Sequence, residues 1–115
     1  AELVRSDAGD TLIVAGADLS HVGAQFGDER PLDNTFLEEV RQRDRQALDH
    51  LEVRDGEGFL RSVAEQDNPT RVCSAGCIFV VATAMHDASV SVLGYHQAVD
   101  TSSQTCVTCA AVAFT

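Results

Sequence analysis

The sequence of 115 residues contains no lysine and no tryptophan, and only one tyrosine, one methionine and two prolines. All eight basic residues are therefore arginines, and they are outnumbered by 18 aspartates and glutamates, for a formal net charge of −10. Nucleic acids and anionic membrane surfaces repel a chain this acidic, so neither is expected as a partner. Arginine without lysine indicates GC-rich coding, which does not identify a function.

Long apolar runs and targeting signals are also missing. The longest apolar stretch, centred on Cys77 to Met85, is well short of the ~20 residues that a membrane-spanning helix needs. No basic start followed by an apolar run predicts a signal peptide. No repeat or linker divides the chain, so we expect one domain over residues 1–115. A secreted disulfide scaffold would usually be smaller and richer in cysteine, so we expect the protein in a reducing cytoplasm.

The hydrophobic pattern predicts a mixed α/β fold in the order strand, loop, three helices and β-hairpin. Only three strands make a thin sheet for an independent domain. We therefore expect the chain to form a homo-oligomer or to belong to something larger. The predicted elements are a strand from Thr11 to Gly16, a loop from Ala17 to Arg30, helices over 35–52, over 55–66 and from near Ser74, and strands from Val90 to Tyr95 and from Thr105 to Phe114.

The helix over residues 35–52 has the strongest pattern. Thr35 and Glu38 have the spacing of a capping box. Apolar residues then recur at helical spacing from Phe36 to Leu51, which predicts one buried face. The charged residues of this segment, including Asp44, are assigned to its solvent-exposed side.

The densest polar cluster directly follows the first predicted strand and contains Asp18 and His21. In a turn-like backbone two residues three positions apart converge. An aspartate that accepts a hydrogen bond from one imidazole nitrogen fixes the tautomer and leaves the other nitrogen free as a base or ligand. The alternative is an Asx-turn beside a surface histidine. Cys73 is predicted at a helix N-terminus, which favours a thiolate nucleophile or soft ligand, although a cysteine without such context is more often a small buried residue.

Four cysteines fall in two close pairs, Cys73 with Cys77 and Cys106 with Cys109. This spacing suggests a four-thiolate zinc or iron–sulfur site. However, the second pair lies in a predicted strand, where its two side chains would face opposite sides. A contact of Cys77 with Cys106 or Cys109 is a separate possibility, and His96 would add an imidazole to a ligand set.

The segment from Ala17 to Asp28, ADLSHVGAQFGD, resembles the Asp-Leu-Ser-His-x-Gly-x-x-Phe-Gly motif of the Memo family, which includes the AmmeMemoRadiSam system protein B. Three further stretches resemble family segments in the same order. They are Arg71 to Ser74, Leu93 to Asp100, and Cys109 to Phe114. The resemblance extends over essentially the whole chain and corresponds to the C-terminal part of a family member.

The resemblance implies a three-layer fold related to the class III extradiol dioxygenases, and redox chemistry with copper or iron, with zinc as the alternative. Cys73 matches the family's pocket cysteine, and Asp18 and His21 match its pocket aspartate and histidine. The chain departs from the family in lacking the segments that carry two N-terminal histidines. His96 replaces a small residue, Cys77 replaces a proline or similar residue, and Cys106 and Cys109 are additional.

Three functions follow as hypotheses. The first is a metal-dependent redox protein or dioxygenase-like enzyme for a small-molecule substrate, with Asp18, His21 and Cys73 as catalytic residues and His21, Cys73 and His96 as metal ligands. The second is a binding or assembly module, a fragment or split subunit whose N-terminal half is missing, that pairs through its sheet edge. The third is a structural metal domain held by the four cysteines.

Overall fold

The computed structural model of the chain describes residues 13–115, which fold into three helices and a three-stranded antiparallel sheet. This mixed architecture confirms the predicted α/β class, including the three helices and the hairpin. Single 3-10 turns lie at Ala24–Phe26 and Glu65–Asp67. The main elements are β1 (His21–Gly23), α1 (Asn34–Glu52), α2 (Gly56–Ala64), α3 (Ala75–Ala84), β2 (Val90–Asp100) and β3 (Thr105–Phe114).

Helices α1 and α2 both begin with an aspartate cap. Asp33 accepts a hydrogen bond from the Phe36 backbone N–H at 2.9 Å, and Asp55 accepts one from Gly58 N–H at 2.8 Å. These bonds satisfy amide groups that have no partner within the first helical turn. The cap of α1 is thus Asp33, two residues before the predicted Thr35.

Helix α3 is different because its ten residues, AGCIFVVATA, include no charged side chain, yet only Ala84 is buried. Val80, near its middle, has 61% of its surface exposed. A helix that is apolar on all sides is normally covered on all sides. Within residues 13–115, much of α3 is uncovered. No helix of this described part is long and apolar enough to cross a bilayer.

The sheet has the order β1–β3–β2, so β3 is central and the eleven-residue β2 is an edge strand. The predicted first strand from Thr11 to Gly16 is wrong for residues 13–16, which are not in a strand. Residues 11 and 12 lie outside the described range. The strand lies instead in the predicted loop, where Leu19 to Gly23 bonds to β3. Apolar content alone does not make a strand, because its amides must find a pairing partner.

The helices cover one face of the sheet. Along β3, Cys106 and Thr108 are fully buried on the helical side, whereas Cys109 is exposed on the other. Two apolar clusters fill the space between α1 and the sheet, one around Leu48 and Phe59 and one around Val22 and Val40. The opposite face of the sheet has no covering layer within residues 13–115.

Candidate functional site

The segment that contains His21 lies beside the segment that contains Cys73. The backbone N–H of His21 donates to the Thr70 carbonyl at 2.7 Å, and the Arg71 guanidinium donates to the His21 carbonyl at 3.2 Å. Strand β1 is therefore held by β3 on one side and by the loop of residues 70–73 on the other. Two motifs 50 residues apart in sequence become neighbours in this way.

The imidazole of His21 is held by the Arg71 backbone. Its Nδ1 lies 3.1 Å from the Arg71 carbonyl oxygen. Since a carbonyl oxygen only accepts, Nδ1 is the donor, and in the neutral ring Nε2 is then the nitrogen with the lone pair. The sequence interpretation assigned this tautomer-fixing role to Asp18, whereas the structure gives it to the Arg71 carbonyl.

The free nitrogen of His21 faces Asp18. The distance from Nε2 to Asp18 Oδ2 is 3.7 Å, and the histidine side chain is 16% exposed against 59% for the aspartate. The ring of Phe26 packs edge-on against the imidazole, with ring centres 5.4 Å apart. The ring nitrogen that the Arg71 carbonyl does not hold therefore lies near a carboxylate.

The Arg71 carbonyl is itself fixed by an ion pair. The Arg71 guanidinium forms a bidentate salt bridge with the Asp28 carboxylate, with hydrogen bonds of 2.9 and 3.2 Å. The Gly23 N–H donates to the same carboxylate at 2.8 Å. Burial by itself would raise the pKa of Asp28, but the bonds from Arg71 and Gly23 hold that pKa below its usual value. Arg71 adopts a left-handed backbone, with φ of 59°, which this pairing stabilises.

Gly23 of the same motif meets the turn before β3 at close range. Its φ is 115°, and a Cβ placed there would overlap the carbonyl oxygen of Gln104. Only glycine combines this backbone conformation with so close an approach. The glycine of the His-Val-Gly sequence is therefore needed to dock β1 onto β3.

Cys73 is exposed and lies two residues beyond Arg71. Helix α3 begins at Ala75 with Ser74 as its cap, so Cys73 directly precedes the helix cap, close to its predicted place. Its thiol has the Ser74 hydroxyl as a weak partner at 3.8 Å. Cys73 is thus an accessible thiol on the loop that positions His21.

A buried carboxylate that the sequence interpretation assigned to solvent lies behind these two segments. Asp44 of α1 is 3% exposed. Its Oδ1 accepts from the Ser20 hydroxyl at 2.6 Å, and its Oδ2 accepts from Tyr95 at 2.7 Å and Thr108 at 2.6 Å. Ser20 also lies 2.8 Å from the Thr70 hydroxyl. The signal was present, since position 44 follows Val40 by one helical turn on the buried face.

The network around Asp44 changes the acidity of its neighbours. Burial, with the hydrogen bond to Asp44 second, raises the pKa of Tyr95 well above its usual value. Burial, and then the Asp44 charge, also raises the pKa of the Cys106 thiol. Both groups therefore keep their protons at neutral pH, so neither is a ready nucleophile.

The structure does not bring His96 to His21. Both side chains lie on the uncovered face of the sheet, since His21 pairs with Val107 and His96 with Cys109 on β3. Because β3 separates them, two strand spacings, about 10 Å, lie between them. Within residues 13–115, His21, Cys73 and His96 are not grouped as the ligand set that the sequence predicts.

The four cysteines do not form one site either. Cys106 is buried under α1, whereas Cys109 is exposed on the opposite face, as alternation along a strand requires. No bond joins Cys77 to Cys106 or Cys109, since all four thiols are free. Among residues 13–115, no three histidine, cysteine, aspartate or glutamate side chains are grouped to hold a metal ion. The structure therefore does not group the four cysteines of the predicted structural metal domain within residues 13–115.

Comparison with known proteins agrees with the motif at residues 17–28. The sequence model of the Memo-like protein family matches residues 1–114. The chain belongs to the Memo-like family. It is also similar to a MEMO1 family protein of Thermus thermophilus, with 44% identity over 61 residues. That alignment covers 53% of this chain and 18% of the relative, so the matched stretch is a small part of the longer protein.

Family membership raises the question of a metal, which the residues of this Memo-like chain fit only in part. In its neutral tautomer His21 offers the lone pair of Nε2, and Cys73 offers an accessible thiol on the adjoining loop. A third donor is not grouped with them within residues 13–115. A redox metal needs a fuller ligand set to be held tightly, so this part of the Memo-like chain does not form a closed metal centre by itself.

Proposed function

We propose that this chain supplies one wall of a pocket in a Memo-like redox protein, in which His21 is the acid–base group and Cys73 the thiol ligand or nucleophile. The observation that carries the proposal is the hydrogen bond from His21 Nδ1 to the Arg71 carbonyl, which leaves Nε2 free beside Asp18. Copper or iron, or alternatively zinc, would need further donors from outside the described residues.

The position of His21 supports a pocket completed by other residues. Its side chain lies on the sheet face opposite the helices, which is the uncovered face. Groups from another polypeptide segment could therefore approach Nε2 without displacing any described helix. The acid–base chemistry of the His21–Asp18 pair needs only this open approach and a substrate proton within hydrogen-bonding reach.

The test is titration of copper(II), iron(II) and zinc(II) into the protein in competition with a chelator. Two donors predict weak binding that is lost in Cys73→Ala and His21→Ala. The matched controls Cys77→Ala and His86→Ala, also accessible side chains, should bind as the unchanged protein does. Binding that persists in both site variants, or no binding to the unchanged protein, would contradict the metal part of the proposal.

A second candidate function, an assembly module, is favoured by the uncovered side of the sheet. The edge strand β2 is eleven residues long, and Leu93 on it is 70% exposed. A long edge with exposed apolar residues is a template for pairing with another chain. We propose that this side packs against polypeptide equivalent to the remaining length of the longer relative.

Light scattering on the isolated chain tests the assembly function. An uncovered face should cause self-association that Leu93→Lys reduces, whereas Val53→Lys, at a 73% exposed site at the end of α1, should leave it unchanged. A chain that stays monomeric at high concentration, with β2 amides that resist hydrogen exchange, would contradict this function.

A further inference from the structure

The buried carboxylate of Asp44 lies between the two apolar clusters. Val40, one turn before it on α1, belongs to one cluster, and Ala47 and Leu48, one turn after it, belong to the other. A carboxylate that is 3% exposed is costly unless it is fully hydrogen-bonded. A leucine at this position would avoid that cost, so the presence of a buried carboxylate calls for a specific reason.

The partners of Asp44 point to that reason. Ser20, which donates to Asp44, directly precedes His21 in the chain. Thr108, which also donates to Asp44, accepts from the Ser20 backbone N–H at 2.8 Å. Asp44 thus holds the residue before His21 through its side chain and, by way of Thr108, through its backbone.

The network also reaches the loop on the other side of His21. Since the single proton of the Ser20 hydroxyl goes to Asp44, the Thr70 hydroxyl donates to Ser20 across 2.8 Å. The carbonyl of Thr70 accepts from His21 N–H, and the next carbonyl, of Arg71, accepts from His21 Nδ1. One carboxylate therefore ties together both backbone segments that orient the imidazole.

We propose that Asp44 is the positioning residue of the His21 site: it sets the tautomer and orientation of the imidazole through Ser20, Thr70 and Thr108. This inference rests on the proposed function of His21 as the reactive group. The role calls for a carboxylate because several hydroxyl donors converge on it, and an ionised carboxylate only accepts. An amide at this position would direct an NH₂ group at donors.

The experiment is nitrogen NMR of the histidine rings at neutral pH in the metal-free protein, comparing Asp44→Asn with the unchanged chain. The unchanged chain should show His21 protonated at Nδ1. In Asp44→Asn the ratio of the two tautomers should shift toward Nε2–H by about fivefold, the factor that corresponds to losing one ordinary hydrogen bond. The His86 ring, which is 49% exposed and pairs with Asp87, serves as an internal reference.

A second variant covers the case in which Asp44→Asn does not fold. Thr70→Val keeps the volume of a residue that is 6% exposed and removes only the outer hydroxyl of the network, so a smaller shift in the same direction is expected. Val63→Ala, at a buried position of α2, is the control for a variant that lowers stability without touching the network, and it should leave the His21 signals unchanged.

Two results would overturn the positioning role. One is an unchanged His21 tautomer in both Asp44→Asn and Thr70→Val; the other is an equal shift in Val63→Ala. Neither readout involves a metal, so the positioning role can stand if the metal titration fails, and it can fail if that titration succeeds.

Discussion

The two faces of the β2–β3 hairpin come from similar alternating sequence but have opposite surroundings. On the face covered by the helices, Thr108 and Cys106 are fully buried, and Tyr95 donates its hydroxyl to Asp44. On the other face, Cys109 and His96 stand opposite each other, both exposed, near a largely exposed Leu93. Adjacent residues of one strand thus differ completely in burial.

This difference separates two kinds of polar group. Those on the covered face have direct partners, and no buried side-chain nitrogen or oxygen within residues 13–115 lacks a hydrogen bond. Those on the open face rely on water or on a partner. The covered face should therefore govern stability, and the open face should govern association.

The largest expected effect is on the carboxylate under the covered face. Asp44→Ala leaves the Ser20, Tyr95 and Thr108 hydroxyls without their acceptor, and should lower the free energy of unfolding by about 3–5 kcal/mol. Asp49→Ala, on the solvent-exposed side of the same helix, should cost less than about 0.5 kcal/mol. Urea unfolding measures both, and equal losses would show that burial of Asp44 has no energetic consequence.

A smaller effect is expected from neighbouring residues of β3. Thr108→Val removes a buried hydroxyl that bonds both Asp44 and Ser20, and should cost about 1–2 kcal/mol. Cys109→Ser, on the open face one residue later, should change the free energy of unfolding by less than about 0.5 kcal/mol. Urea unfolding of both variants measures these two free energies. An equal loss in Cys109→Ser and Thr108→Val would contradict the difference between the two faces.

The next prediction concerns alkaline pH. The pKa of Tyr95 is raised in the folded chain, so below the ordinary tyrosine pKa of 10.0 both states keep the proton and the contribution to stability is complete. As pH rises above 10.0 the unfolded state loses its proton first, and this stabilisation is lost. Tyr95→Phe should therefore reduce the alkaline loss of stability.

Tyr95 is the only tyrosine in the sequence. The ultraviolet absorbance of tyrosinate therefore reports on this one residue. It should rise only as circular dichroism shows unfolding. Tyrosinate formed near pH 10 in a chain that is still folded would contradict the buried hydrogen bond to Asp44.

The smallest effect leaves stability unchanged and compares two thiols. Cys109 should react readily with iodoacetamide, whereas burial and a raised pKa should protect Cys106 until the chain unfolds. Peptide mass spectrometry after a short labelling pulse distinguishes them, with the exposed Cys77 as a reference. Rapid labelling of Cys106 in the folded chain would mean that α1 does not cover this face as described.

Much of the fold was predictable because it is encoded locally. Helix α1 lies within one residue of its predicted start and ends at the predicted Glu52, since its apolar period and polar start are local properties. The hairpin was also predicted, although β2 continues five residues beyond the predicted end at Tyr95. The first strand was wrong where it is described, because strand formation depends on a partner that is distant in sequence.

The candidate site was predictable only in part. Asp18 and His21 are close, as their spacing suggested, and Cys73 lies on the adjoining loop. Asp44 was assigned to solvent because charged residues are rarely buried, although its helical position places it on the apolar face. His96 shares a sheet face with His21, but the intervening β3 could not be deduced from spacing.

The sequence by itself determined the Memo-like motif, the helix starts and the alternation of β3. Only the tertiary structure decided which face of the sheet is covered, which carboxylate is buried and which carbonyl fixes His21. The physical reason is that local propensities and periodicity act within a few residues. The groups that orient His21 come from positions 44, 70, 71 and 108, and they meet only when helix, loop and sheet pack together.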